Sequence, residues 1–203
     1  MIESGNVVAL IDAGGANLGS VRYALEREGA TVEIVRDADG LRGTRRVILP
    51  GVGAAPPAMK LLRERGLVDA LRQLQVPLLG ICLGMQLLFE SSEEGDVACL
   101  GVLPGSVRRL SAVSGIRVPH MGWNQMRAVR DDALLQDIRD GAQAYFVHSY
   151  AAPVTQDCVA ACTHGERFAA VVRRGNVMGA QFHPERSAGA GAMLLRNFLA
   201  WAA

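Results

Sequence analysis

Leu79-Gly80-Ile81-Cys82-Leu83-Gly84 is the segment that best predicts both the fold of this chain and its chemistry. The apolar run at residues 77–81 predicts a buried strand, and residues 83–90 predict a helix that begins at once. Cys82 then stands on a sharp strand-to-helix turn, flanked by glycines because a tight turn leaves no room for a Cβ. This arrangement is typical of a nucleophile elbow in which cysteine replaces serine. The amino end of the following helix favours the thiolate form of such a cysteine.

On either side of this turn, short apolar runs alternate with helical patterns. Before it, we predict strands at residues 7–11, 32–35 and 47–49, and helices at residues 18–28, with Asn17 as N-cap, and 56–74. After it, we predict strands at residues 101–110, 117–129, 145–150, 159–163, 168–173 and 177–182, and a closing helix at residues 190–201. We therefore expect an α/β fold with an open, mostly parallel sheet, helices on both faces, and antiparallel strands added at the edge.

Length and composition limit the class of protein. The 203 residues suit one domain, residues 1–203, and 50% of them are hydrophobic. A formal net charge of +1 gives no reason to expect a nucleic-acid or membrane partner. The amino terminus lacks the features of a secretory signal, and no apolar run approaches the ~20 residues of a membrane span. We expect a cytoplasmic protein whose four cysteines, Cys82, Cys99, Cys158 and Cys162, are thiols.

A candidate general base follows the last predicted strand, in Phe182-His183-Pro184-Glu185. The carboxyl ends of strands are where open α/β sheets build their sites. Pro184 biases His183 towards an extended conformation, from which Glu185 can accept a hydrogen bond from one imidazole nitrogen. The other nitrogen would then take the proton of Cys82. We predict a catalytic triad of Cys82, His183 and Glu185.

A candidate oxyanion hole follows the strand at residues 47–49. The glycine-rich turn Pro50-Gly51-Val52-Gly53 can direct backbone N–H groups at a developing negative oxygen. Gly51 and Val52 are the residues predicted to supply one donor, and the N–H of Leu83, next to the nucleophile, the other.

Other histidines and cysteines have simpler interpretations. His120 and His148 lie inside predicted strands and are interpreted as buried structural residues. Cys158, Cys162 and His164 share one strand face, but their spacing fits no common zinc pattern. We predict no metal site.

Together, PGVG, GICLGMQ and FHPE resemble the oxyanion strand, nucleophile elbow and His-x-Glu segment of the class I (triad) glutamine amidotransferases. Two further segments, Pro119-His120-Met121-Gly122-Trp123-Asn124 and Tyr145-Phe146-Val147-His148-Ser149-Tyr150, resemble the glutaminase subunits of imidazole glycerol phosphate synthases within that class. So does the opening segment Ile11-Asp12-Ala13-Gly14-Gly15-Ala16-Asn17-Leu18. The resemblance extends from about residue 7 to the last helix.

The resemblance implies a two-component enzyme without a cofactor. This chain would hydrolyse glutamine to glutamate and ammonia, and a separate (β/α)8-barrel cyclase subunit would receive the ammonia. The cyclase would make imidazole glycerol phosphate and an aminoimidazole carboxamide ribotide in histidine biosynthesis. By the same resemblance, Gly53, Gln86, Ser149 and Tyr150 would contact glutamine. The residues at the interface with the cyclase subunit would be Asn17, Trp123, Tyr145 and Arg186.

Three alternatives remain open. The chain could serve another amidotransferase, such as anthranilate synthase, which the PHMGWN and YFVHSY segments disfavour. A cysteine peptidase or deglycase-like hydrolase on a related fold would act without a partner. A non-catalytic binding subunit is disfavoured by the intact set of Cys82, His183 and Glu185.

Overall fold

The computed structural model describes residues 6–14, 17–112 and 114–201. Its strands are β1 (Val7–Ile11), β2 (Thr31–Val35), β3 (Val47–Leu49), β4 (Leu78–Ile81), β5 (Ser91–Ser92), β6 (Val97–Ala98), β7 (Ser106–Arg109), β8 (His120–Gln125), β9 (Arg127–Ala128), β10 (Gln143–His148), β11 (Tyr150–Ala151), β12 (Cys158–His164), β13 (Glu166–Arg174) and β14 (Val177–Ala180). The helices are α1 (Leu18–Arg27), α2 (Ala55–Glu64), α3 (Leu67–Arg72), α4 (Leu83–Gln86) and α5 (Ala188–Leu199), with short 3-10 helices at Asp39–Leu41, Ala133–Leu135 and Pro184–Arg186.

The main sheet has eight strands in the order β2-β1-β3-β4-β14-β13-β12-β9. The first five are parallel, and β13, β12 and β9 continue the sheet in antiparallel fashion. Alternate residues of β1 enter two different hydrophobic clusters, so the two clusters lie on opposite faces of the sheet. One cluster contains the buried sides of α1 and α5, and the other those of α2 and α3. The predicted α/β fold is confirmed.

Three predicted strands, at residues 101–110, 117–129 and 145–150, lie wholly or partly outside the main sheet. Strand β8 pairs with β10 as a separate antiparallel ribbon, and β11, β7, β5 and β6 form a four-stranded sheet. The predicted strand at residues 117–129 is wrong as one element, because Met126 donates its N–H to Ala142 and separates β8 from β9. The antiparallel edge of the main sheet therefore comes from residues 127–128 and 158–174 alone.

Two predicted helices are too long. The helix expected at 56–74 is divided at Gly66, whose φ of 66° is left-handed. The helix expected at 83–90 ends at Gln86, although residues 83–89 are all buried. The carbonyls of residues 87–89 accept hydrogen bonds from the N–H groups of residues 100–103 instead of continuing the helix. The same contacts explain why the strand expected at 101–110 begins only at Ser106.

None of the helices in the described ranges has the length and apolarity that crossing a membrane requires.

Candidate active site

Cys82 lies between β4 and α4 with φ 53° and ψ −112°, a left-handed conformation that is rare for a residue with a side chain. The flanking glycines permit this turn. A Cβ on Gly84 would lie 1.8 Å from the carbonyl oxygen of Leu49, and one on Gly80 would lie 2.7 Å from the backbone nitrogen of Met85. The predicted steric need for both glycines is confirmed, and the strained backbone holds the thiol at the end of the strand.

Sheet register brings the remaining candidate residues to the same place. Ile81 pairs with Ala180 across the parallel strands β4 and β14, so Cys82 and the segment leading to His183 leave the sheet side by side. On the other flank, Leu49 of β3 pairs with Gly80. The three predicted motifs thus follow the carboxyl ends of three neighbouring parallel strands, where α/β sheets place their sites.

His183 and Glu185 form a buried pair. His183 Nδ1 lies 2.8 Å from Glu185 Oε1, and the two side chains are 7% and 2% exposed. The backbone N–H of His183 donates to the carbonyl of Tyr145 at 3.0 Å, which ties the base to β10. Because Nδ1 is engaged by Glu185, Nε2 is the nitrogen left to interact with Cys82.

Electrostatics favour the charged form of this pair. Burial alone lowers the pKa of His183, but hydrogen bonds and charge interactions with Cys82 and Glu185 raise it to about 10. Burial likewise raises the pKa of Glu185, yet its contacts with His183, together with a hydrogen bond from Asn17, bring that pKa below its ordinary value. The imidazole is therefore able to hold a proton taken from sulfur while the carboxylate stays ionised.

A cleft of about 290 Å³ opens over Cys82 and His183. Its lining includes six of the other predicted site residues, namely Val52, Gly53, Leu83, Gln86, Ser149 and Tyr150. Gly51 is not part of that lining. It packs under the turn, where a Cβ would lie 2.9 Å from the nitrogen of Gly84, and it borders a separate small cavity.

Two of the residues that line the cleft, Val52 and Leu83, are the predicted oxyanion donors. Within the described part of the chain, the N–H groups of Val52 and Leu83 have no protein acceptor. Leu83 is the first residue of α4, which has only 4 residues. The electrostatic effect predicted for the amino end of this helix is therefore limited to the free N–H groups of a single turn and does not come from a long helix dipole.

Gln181 is a site residue that the sequence analysis did not identify. It is fully buried, and its Nε2 lies 3.9 Å from Cys82 Sγ. Its Oε1 accepts a hydrogen bond at 3.0 Å from Gln86, whose Nε2 also donates to the Tyr150 carbonyl at 2.7 Å. The sequence feature that could have identified Gln181 is that it is the one amide side chain in the apolar run at residues 177–182. A buried amide requires hydrogen-bond partners, which suggests a specific role.

His120 and His148 are buried, as expected, but they form a directed chain that reaches the cleft. His148 lines the cleft, and its Nδ1 lies 2.9 Å from the Tyr150 carbonyl, which can only accept. His148 Nε2 must then accept from His120 Nδ1 at 3.1 Å, and His120 Nε2 accepts from the Asn124 amide at 3.2 Å. The chain joins β8 to the segment 149–150 in the cleft wall.

The four residues assigned to a partner interface have different surroundings. Trp123 is 53% exposed and stacks edge-on against Tyr145, its cross-strand neighbour, at 5.9 Å between ring centroids. Arg186 is exposed and follows Glu185 directly. Asn17 instead directs its amide inward, to Glu185. Residues 15–16 of the opening motif lie outside the described residues.

The remaining cysteines give no sign of a metal centre. Cys158 and Cys162 are buried, and burial raises their pKa values to about 11 and about 12. In the ranges that the structure describes, no group of three or more His, Cys, Asp or Glu side chains is arranged to hold a metal ion.

The cysteine elbow, the buried His-Glu pair and the mostly parallel sheet agree with the fold and site that the resemblance to the class I glutamine amidotransferases implies. The sequence profile described as "Glutamine amidotransferase class-I" matches residues 9–201, and the chain belongs to that family. A solved structure titled "Crystal structure of glutamine amidotransferase" superimposes with a TM-score of 0.74 at 25% identity, covering 96% of this chain and 97% of the other.

Among curated relatives, the chain is 70% identical to "Imidazole glycerol phosphate synthase subunit HisH" of Xanthomonas axonopodis pv. citri (strain 306). It is 65% identical to the protein of the same name from Xylella fastidiosa (strain Temecula1 / ATCC 700964). Both alignments span 192 residues, which are 95% of this chain and 96% of the relative.

Proposed function

We propose that this chain is the glutaminase subunit of an imidazole glycerol phosphate synthase, and that it hydrolyses glutamine to glutamate and ammonia. The observation that carries the proposal is that the strained Cys82 elbow and His183, which forms a buried pair with Glu185, line the same cleft. The names of relatives at 65% to 70% identity support the particular synthase.

The proposed reaction begins with attack of Cys82 Sγ on the carboxamide carbon of glutamine. His183 takes the thiol proton, and the N–H groups of Val52 and Leu83 stabilise the oxyanion of the tetrahedral intermediate. Collapse of this intermediate breaks the C–N bond, and His183 returns the proton so that ammonia leaves. A water molecule, deprotonated by His183, then hydrolyses the γ-glutamyl thioester and releases glutamate. Glu185 orients the imidazole and stabilises its charged form throughout.

Glutamine itself would occupy the cleft between the oxyanion turn and the segment 149–150. Gly53, Gln86, Ser149 and Tyr150 line that space and are the proposed contacts. Both donor hydrogens of Gln86 are already used, by Gln181 and by the Tyr150 carbonyl. Gln86 therefore offers its side-chain oxygen to the substrate and holds the Tyr150 carbonyl in place with its amide nitrogen.

The proposed partner is a cytoplasmic (β/α)8-barrel cyclase subunit that consumes the ammonia in forming imidazole glycerol phosphate and an aminoimidazole carboxamide ribotide. Trp123, Tyr145 and Arg186 are the proposed interface residues. The exposed Trp123 and Met121, the latter 64% exposed, lie on the same side of β8 and support a docking face there, because neighbouring exposed apolar side chains form the kind of patch that marks interaction sites. Asn17 belongs to the same proposed interface through its position at the start of α1.

The decisive experiment combines this chain with the candidate cyclase subunit and supplies either glutamine or ammonia. Cys82→Ser should abolish glutamine-dependent synthesis, since a hydroxyl ionises far less readily than a thiol. Ammonia-dependent synthesis should survive, because it bypasses this subunit. Retained glutamine turnover in the variant would exclude Cys82 as nucleophile, and a cyclase that never accepts the ammonia would exclude this synthase.

A further inference from the structure

Asn17 occupies the N-cap position of α1 but does not cap the helix. Its backbone has φ −101° and ψ 7°, and its side chain makes no hydrogen bond to the first turn. Asparagine is favoured at this position because its side-chain oxygen usually accepts a backbone N–H of the first turn. Here the side-chain amide donates instead to Glu185 Oε1, 168 residues away in sequence. Asn17 thus bonds to a distant buried carboxylate and does not cap its own helix. This departure from the local preference indicates that the carboxylate requires the donor.

Glu185 has few other means of support. Its side chain is 2% exposed, and Oε1 receives both the Asn17 amide and His183 Nδ1. Oε2 is buried and has no hydrogen-bond partner among the described residues. A buried oxygen without a partner costs free energy, so the donors to Oε1 matter more for holding this carboxylate in place. Of its two side-chain donors, only Asn17 is outside the catalytic pair.

Asn17 also lies beside the proposed oxyanion turn. With Leu18 it borders the small cavity that Pro50, Gly51 and Val52 close from the other side. The start of α1 is therefore bonded to the carboxylate proposed to orient the base, and it shares a small cavity with the turn that carries a proposed backbone donor.

We propose that Asn17 is a positioning residue of the triad, which acts through Glu185 to keep the carboxylate aligned with His183 Nδ1. This inference rests on the proposed glutaminase function. Loss of the amide leaves Glu185 Oε1 with a single side-chain donor, so the His183 ring loses its fixed orientation towards Cys82. Misplacing a catalytic group by about 1 Å costs on the order of 10²-fold in rate.

A double-mutant cycle separates this role from a general effect on the fold. The variants are Asn17→Ala, Asn17→Asp, Glu185→Gln and the double variant Asn17→Ala/Glu185→Gln. Asn17→Asp keeps the size and the N-cap preference but replaces the donor by a like charge. Both Asn17 variants should lower kcat for glutamine by on the order of 10- to 100-fold at nearly unchanged KM. In the Glu185→Gln background, Asn17→Ala should change kcat less than about twofold.

A second readout does not depend on glutamine. The rate of Cys82 alkylation by iodoacetamide, followed by peptide mass spectrometry across pH, reports the coupling of the thiol to His183. Asn17→Ala should displace this pH profile in the same direction as Glu185→Gln does. If Asn17→Ala overlays the wild-type profile, or lowers kcat equally in both backgrounds, the positioning role is wrong. Wild-type protein that shows the coupled profile but never turns over glutamine would overturn the proposed function and leave the role of Asn17 intact.

Discussion

At the scale of single residues, the chemistry depends on how differently Cys82 and Glu185 are held. The position of Cys82 is imposed by backbone, since Gly80 and Gly84 allow strands and turn to approach to distances that no Cβ tolerates. Glu185 is held by hydrogen bonds from His183 and Asn17. Steric constraint thus holds the proposed nucleophile in place. The carboxylate proposed to orient the base is instead held by two donors, which substitutions can remove one at a time.

The different roles of Glu185 and His183 give unequal losses on substitution. Glu185→Gln should reduce kcat for glutamine less than His183→Ala does, because the carboxylate orients the ring and stabilises its charge but takes no proton. The base itself contributes on the order of 10²- to 10⁴-fold. Steady-state kinetics of both variants with glutamine would measure this. Equal losses, or a larger loss at Glu185, would show that the roles are wrongly assigned.

The sequence predicted those parts of the site that depend on neighbouring residues. The elbow and the His183–Glu185 pair follow from glycines, a proline and spacings of two residues, which are local properties. Asn17, Gln181 and His148 reach the site through sheet register and contacts between distant segments, such as Gln181 beside Cys82. No local pattern encodes which strands become neighbours. The predicted end of the helix at residue 90 was wrong for the same reason, because the N–H groups of residues 100–103 bond to the carbonyls of residues 87–89.

At the scale of elements, the ribbon of β8 and β10 connects an exposed face with the cleft. Met121 and Trp123 project outward from β8, and His120 and Asn124 lie on its other side. Through His148 the inner side reaches the Tyr150 carbonyl. In this chain of hydrogen bonds, the His120 and His148 rings each have one defined neutral tautomer. Protonation of either ring would turn its accepting nitrogen into a donor that faces another donor.

The buried histidine chain should make stability fall in acid. Burial, the largest cause, lowers the pKa of His120 to about 4 and that of His148 to about 3. Unfolded histidine titrates at about 6.5. Since the folded pKa values are the lower ones, the stabilisation is complete above about pH 6.5 and is lost progressively as pH falls towards 4 and 3.

Chemical unfolding between pH 7 and 5 measures this contribution. The contribution of His120 and His148 to the free energy of unfolding should fall by up to about 1.4 kcal/mol per pH unit for each of the two, while His183, whose folded pKa is raised, acts in the opposite direction in wild type and variant alike. His120→Gln removes one titrating group, so the slope of the free energy of unfolding against pH should decrease by an amount that corresponds to at most one proton taken up on unfolding. This change in slope is independent of the effect of the substitution on absolute stability. A slope identical in wild type and variant would contradict the neutral buried chain.

At the scale of the whole molecule, the fold places the proposed partner face close to His183, the proposed catalytic base. The Tyr145 ring packs on the exposed Trp123, while its carbonyl accepts the N–H of His183. Asn17 likewise joins the start of α1 to Glu185. A partner bound across this surface would therefore contact residues that are one hydrogen bond from the triad, which is a short route for activation.

Activation should also depend on the oxyanion turn. We hypothesise that in the free subunit the segment 51–53 does not present its donor, since glycine-flanked peptides rotate readily. Val52→Pro removes the Val52 N–H altogether, so this variant should bind the partner but respond little to it. Val52→Ala is the matched control, because it keeps the N–H and should respond as wild type does. A Val52→Pro variant that is activated normally would exclude this donor.

The central claim is a glutaminase whose activity depends on its partner, and one measurement tests it most directly. This is kcat for glutamine hydrolysis by the wild-type chain in four states, namely alone, with the cyclase subunit, with the ligand of the cyclase, and with both. Partner and ligand together should raise kcat by at least the factor that one oxyanion donor contributes to the rate, which is on the order of 10²- to 10³-fold. A free chain as fast as the liganded complex would contradict the coupling, and no turnover in any of the four states would contradict the function itself.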